Sequence, residues 1–126
     1  MRPMSGPARH LLIVDDSAAD AELLKREIEK HDGYQATVVP SSEQALEYIR
    51  AHVPDLVLLD LQMPGVDGLD TLKRIKALVP TLPVAMVTGV WREEEAKRCF
   101  EAGAYEYITK PVDFGHLKNA LLVKLL

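Results

Sequence analysis

The chain predicts a doubly wound α/β sandwich, a parallel five-stranded sheet with helices on both faces. Two observations carry this. Apolar strand-like runs alternate five times with amphipathic helical ones, joined by short connections. Three of the runs, Leu11–Val14, Leu56–Leu59 and Val84–Val87, are apolar without alternation, as strands covered on both faces are. At 126 residues the chain suffices for one domain with its own core.

The elements follow in order. After an arm expected to be flexible (residues 1–8), the first strand is Leu11–Val14, opening a domain that spans 9–126. Ser17, with Asp20 three positions on, resembles a capping box and opens a helix striped by Ala21, Leu24 and Ile28, which Asp32-Gly33 ends. Gln35–Val39 is the second strand, and Ser41 with Gln44 opens a helix carrying Ala45, Leu46 and Ile49. The third strand, Leu56–Leu59, runs into Asp60 and then "MPGVDG", where Pro64 and Gly68 suit a turn. Leu72, Ile75 and Val79 mark the next helix, which Pro80 closes. After Val84–Val87 comes a helix with Glu93, Glu94 and Glu95 in its first turn, where the helix dipole favours negative charge, and Gly103 suits its C-terminal cap. Tyr105–Ile108 is the fifth strand, and a final helix starts near Asp113.

Composition excludes several classes. Hydrophobic residues make up 48% and charged ones 27%, as in ordinary globular proteins. A net charge of -4 offers no general attraction for nucleic acid or anionic lipid. The lone cysteine, Cys99, excludes an internal disulfide and fits a small core side chain in a reducing compartment. No segment approaches the roughly 20 apolar residues of a membrane span, and the first residues lack a secretory signal pattern. The expected location is the cytoplasm.

In open parallel sheets the reactive crevice lies beyond the carboxyl ends of the strands, where strand order reverses. Asp15 and Asp16 follow the first strand, Asp60 the third, Thr88 the fourth and Lys110 the fifth. Each alone is ordinary turn or cap chemistry. Together they set three carboxylates, a hydroxyl and an ammonium along one rim. Such carboxylates repel, so they need a cation or raised pKa values. With hard oxygen donors and no histidine or cysteine beside them, Mg²⁺ is the suitable ion. A rim with Mg²⁺, an ammonium and a hydroxyl donor is a place for a phosphoryl group. The histidines (His10, His31, His52 and His116) are scattered and suggest no metal cluster.

The segments "LLIVDDSAAD", "LVLLDLQMPGVDGLDTL", "VAMVTG" and "EAGAYEYITKPVD" resemble the CheY-like receiver domain of two-component response regulators, in order and over nearly the whole chain. The resemblance implies the flavodoxin-like strand order 2-1-3-4-5. It makes Asp60 the phosphoacceptor and Asp15, Asp16, Asp60 and the backbone carbonyl of Gln62 the Mg²⁺ ligands. It makes Thr88 a switch hydroxyl, Lys110 the conserved lysine, Pro111 the partner in a cis peptide bond and Tyr107 an aromatic switch residue. Asp60, Thr88 and Lys110 then form the catalytic set. The phosphodonor would be a sensor histidine kinase, a phosphotransfer protein or a small acyl phosphate. The protein would catalyse only its own phosphorylation and dephosphorylation, altering the surface of helix four, strand five and helix five.

Three rivals remain open at this point. A Mg²⁺-dependent phosphatase or phosphotransferase of the haloacid dehalogenase class also uses an aspartyl nucleophile, but after the first strand in a D-x-D pattern, where this chain has "VDDSAAD". A flavin binder of the same fold cradles phosphate with its first loop, and Asp15-Asp16 would repel one. A pseudo-receiver would serve only as a docking surface. In the last helix, Phe114, Leu117, Leu121 and Leu125 form an inward stripe, whereas Leu122, Val123 and Leu126 fall outside it. This suggests a homodimer contact or a helix continuing toward an output domain.

Overall fold

A computed structural model describes residues 9–65 and 67–125, with side chains as far as Asn119. The expected arm 1–8, Leu126 and the side chains of Leu121, Leu122, Val123 and Leu125 lie outside the described residues. The elements are β1 (Arg9–Val14), α1 (Ala18–Glu29), β2 (Tyr34–Val39), α2 (Ser42–Ala51), β3 (Leu56–Asp60), α3 (Gly68–Leu78), β4 (Val84–Thr88), α4 (Glu93–Glu101), β5 (Glu106–Thr109) and α5 (Phe114–Leu125). The five strands form one parallel sheet in the order β2-β1-β3-β4-β5, as the resemblance implies.

Alternate residues of the buried strands feed two cores. Leu12, Val14, Val57, Leu59 and Met86 pack against α2, α3 and α4 through residues such as Ile49, Ile75 and Cys99. Leu11, Ile13, Leu56, Leu58 and Val87 pack against α1 and α5 through Ile28, Phe114 and Leu117. Every residue of β3 and β4 is buried, Asp60 and Thr88 included. A strand without alternation is thus one with a helix layer on each side.

Local chemistry sets the ends. Ser17 Oγ accepts the Asp20 N–H at 3.4 Å and Ser41 Oγ accepts the Gln44 N–H at 3.2 Å, so both serines cap as expected. The Asp20 carboxylate does not complete a box but turns to Lys110. α4 ends in a Schellman motif: Ala104 N–H donates to Cys99 O (2.9 Å) and Gly103 N–H to Phe100 O (3.0 Å), with Gly103 at φ +103°.

Two local expectations shift. Among the described residues of "MPGVDG" the left-handed one is Gly65, at φ +71°. Gly68 instead opens α3 hard against the chain it leaves, where a Cβ would stand 3.1 Å from Leu61 Cα. The α3 cap is Asp67, whose side chain accepts from Leu69 N–H and Asp70 N–H. β5 lies one residue later than Tyr105–Ile108, at Glu106–Thr109, with the Tyr105 N–H already reaching Val84 O of β4 (2.8 Å).

Candidate functional site

The acidic residues meet where the strand order reverses, between β1 and β3. Asp60 is the last residue of β3 and only 4% exposed; Asp15, just past β1, is 6% exposed. Asp16 is exposed beside them, and the three bring one carboxylate oxygen each within 4.8 Å of one another. Backbone donors set the two buried carboxylates. Asp60 Oδ1 accepts the Gln62 N–H at 2.8 Å, and Asp15 Oδ1 accepts the Ser17 N–H at 2.9 Å. Their other oxygens face Lys110, whose Nζ lies 3.2 Å from Asp60 Oδ2, 3.4 Å from Asp15 Oδ2 and 3.5 Å from Asp20 Oδ2. The Lys110–Pro111 peptide bond is cis. A cleft of about 410 Å³, lined by Asp15, Asp20, Asp60 and Lys110 and by apolar Leu24 and Pro111, opens beside them.

The charges do not balance: one ammonium faces several carboxylates. Burial pushes the Asp15 carboxyl up, and its neighbour Asp60 adds to that, against the opposing Ser17 N–H and Lys110. Burial works against the charge on Lys110, yet hydrogen bonds and the field of Asp60 and Asp15 outweigh it and raise its pKa.

The neighbouring loop is also engaged. Thr88, 1% exposed, donates from Oγ1 to Val90 O at 3.2 Å and accepts the Val90 N–H at 3.4 Å. Gln62 reaches across with its side chain, Oε1 accepting the Gly89 N–H at 2.6 Å. Tyr107 is buried. Its hydroxyl donates to Glu95 Oε1 at 2.8 Å, and the exposed Trp91 ring packs against it in a T-shaped pair, centroids 5.0 Å apart. Burial, then Glu95, pushes the Tyr107 phenol up to about 12. Burial first also pushes the Cys99 thiol up to about 11, an inert core side chain rather than a nucleophile.

A family model described as the response regulator receiver domain matches residues 11–122. The chain belongs to that family. This receiver domain is 40% identical over 111 residues to the transcriptional regulatory protein ZraR of Escherichia coli K12, covering 88% of this chain but only a quarter (25%) of ZraR. It is 33% identical to sporulation initiation phosphotransferase F of Bacillus subtilis, covering 88% of this chain and 89% of that protein. A solved receiver domain protein (CheY-like) from Methanospirillum hungatei superposes with a TM-score of 0.84 at 29% identity, over 93% of this chain and 96% of the other.

Receiver domains bind Mg²⁺ at an acidic pocket, and the donors here suit that ion. All are hard oxygens, they converge, and the pocket carries more negative charge than Lys110 offsets. Among the described residues no helix is long and apolar enough to cross a membrane. Two participants were not legible in the sequence: Asp20 as a third carboxylate on Lys110 and Glu95 under Tyr107. Each is a polar residue at an exposed or half-buried position, where no periodicity marks a partner.

Proposed function

We propose that this receiver domain, residues 9–126, is a phosphorylation-activated signalling switch whose phosphoacceptor is Asp60. The observation that carries it is a buried carboxylate at the end of β3, held by the Gln62 N–H and facing an ammonium 3.2 Å away, with Asp15 and Asp16 in the same pocket. Its donor is a phosphohistidine on a sensor kinase or phosphotransfer protein, or a small acyl phosphate. An Asp60 oxygen attacks phosphorus in line while the bond to the donor's nitrogen or oxygen breaks, and the donor departs with that electron pair. Lys110 stays against an oxygen of the transferred group. Asp15, Asp16, Asp60 and the backbone carbonyl of Gln62 would hold Mg²⁺, which when bound supplies neutralising charge to the phosphoryl oxygens.

The product carries roughly one more negative charge and strong acceptor oxygens. Thr88 exchanges Val90 for one of them. Because Trp91 follows Val90 and rests on Tyr107, that exchange is felt at Tyr107 and at the α4–β5–α5 surface, which a partner, a second copy or an output domain reads. The domain works on itself alone, and a kinase donor places it in the cytoplasm.

The test is labelling with acetyl phosphate and Mg²⁺. Wild type takes up label and Asp60→Asn takes up none. Undiminished labelling of the variant removes Asp60 as acceptor, and no labelling of wild type favours a docking-only domain.

A further inference from the structure

An open sheet has two edge strands, each presenting backbone donors and acceptors on which a further strand can form. Here the edges are β5, four residues long, and β2, six residues long, so β2 is the longer template. Gly33 and Val39 turn their carbonyls to β1, to the Arg9 N–H and the Asp15 N–H. Alternate residues of a strand face opposite neighbours, so Tyr34, Ala36 and Val38 face outward, with Ala36 at the centre of that row. Neither backbone group of Ala36 is open. Side chains of α1 reach over the edge: Glu29 Oε2 accepts the Ala36 N–H at 3.1 Å, and Lys25 Nζ donates to Ala36 O at 3.0 Å. Lys25 and Glu29, one helical turn apart, also pair at 3.4 Å and close a ring around this one residue.

We propose that Lys25 and Glu29 form an edge guard, which keeps the β2 strand of a second copy of this chain from pairing along β2. The excluded occupant is the chain's own copy because the outward row is self-complementary. About a two-fold axis through Ala36, antiparallel strands set Ala36 against Ala36 and the Val38 N–H against Tyr34 O, donor to acceptor. The Tyr34 N–H is already spent on His31 O, which leaves its carbonyl for that role. While the guard is closed, such a copy must break both bonds to Ala36 and cover an ammonium and a carboxylate that are now 31% and 37% exposed. Once the guard is removed, the same backbone groups find partners across the interface. The guard thus acts on assembly far more than on folding, and it reserves self-association for the other faces of the domain.

The test uses the full chain as wild type, as the double variant Lys25→Ala with Glu29→Ala, and as that double variant with Ala36→Pro added. Alanine preserves the helix at both α1 positions. Proline at 36 removes only the outward N–H, a change that edge strands accept. Sedimentation over a concentration series should show the double variant associating at least about tenfold more tightly than wild type, the weight of one or two neutral hydrogen bonds. Adding Ala36→Pro should return it to the wild-type value. Hydrogen exchange read by NMR locates the contact. The Ala36 amide should be slow in wild type at every concentration. In the double variant it should be at least about tenfold faster when dilute and slow again as concentration rises. Side chains that merely pinned α1 to β2 would speed this exchange without tightening association. A double variant no more associated than wild type overturns the guard, as does an Ala36 amide equally fast in wild type. Association that survives Ala36→Pro, or that leaves the Ala36 amide fast in concentrated samples, forms at another face and also overturns it. The exchange criterion decides alone if the proline variant does not fold.

Discussion

The two ends of the sheet both carry polar side chains among apolar strands, and they resolve them in opposite ways. Toward the amino ends, His10 N–H donates to Asp55 Oδ2 and Asp55 N–H returns a bond to His10 O, each at 2.7 Å. His10 Nε2 lies 2.8 Å from Thr37 Oγ1 and 3.1 Å from Tyr48 Oη. Polar groups there pair off or share partners without gathering like charges. At the carboxyl ends, Asp15, Asp16 and Asp60 converge on one lysine that Asp20 also engages. Among the described residues every buried side-chain polar atom finds a partner, yet the charge is left in excess. Hydrogen-bond satisfaction alone does not separate scaffold from site; charge balance does.

Substitution sharpens the contrast, because removing a carboxylate should act with opposite sign at the two ends. The larger effect belongs to the matched end. Asp55→Ala leaves the half-buried His10 N–H without its acceptor and should cost about 2 kcal/mol, within the usual range for a lost bond to a charged group. The urea midpoint reads it, at an unchanged slope. A cost near zero would mean that water replaces the carboxylate and that this end is not closed.

At the crowded end Asp15→Asn should stabilise the metal-free protein, by about 1 kcal/mol. The amide keeps an oxygen for the Ser17 N–H and removes a buried charge. The sign in pH follows. The folded pKa of Asp15 lies above its ordinary 3.8, mainly through burial, so the charged form is disfavoured by folding. That cost is absent below the ordinary value and complete above the folded one. The variant's advantage therefore opens as pH rises through that window and stays open at neutrality. Millimolar Mg²⁺ should close the gap or reverse it, since an ion bound only by the folded wild type stabilises it by mass action. An Asp15→Asn protein less stable than wild type at pH 7 without Mg²⁺ would contradict the charge excess.

The same division explains what was legible beforehand. Leu56–Leu59 and Val84–Val87 announced doubly covered strands, and the residues that end them, Asp60 and Thr88, are buried because the ladder carries them there. Chain direction and strand order sufficed to bring Asp15, Asp16, Asp60 and Lys110 to one rim. Side-chain choices at exposed positions did not follow from any pattern. Asp20 could cap its own helix or reach Lys110, and only tertiary proximity decides. Gly68 read as a turn residue because the steric demand of Leu61 on it is invisible in sequence. The one-residue displacement of β5 belongs with these, since the edge strand is short and half-buried and its alternation weak.

A third carboxylate calibrates the other two with the smallest effect. Glu29 sits over the outer edge of β2, where its Oε2 accepts the Ala36 N–H at 3.1 Å, while Lys25 Nζ lies 3.4 Å from the same oxygen and donates to Ala36 O at 3.0 Å. The Ala36 N–H, then Lys25, outweighs partial burial and holds the Glu29 carboxyl below its ordinary 4.5. Its sign is the reverse of Asp15: a lowered pKa contributes stability that is present above the ordinary value and lost as pH falls through the folded one. Glu29→Gln should cost only a few tenths of a kcal/mol at pH 7, because water screens a half-exposed pair. The difference should vanish by about pH 3, as protonation makes wild type resemble the variant. Measured together across pH 3 to 7, the two variants should diverge in opposite directions from a common acid limit. Parallel curves would mean that bulk charge, not local pairing, sets the acid response of both.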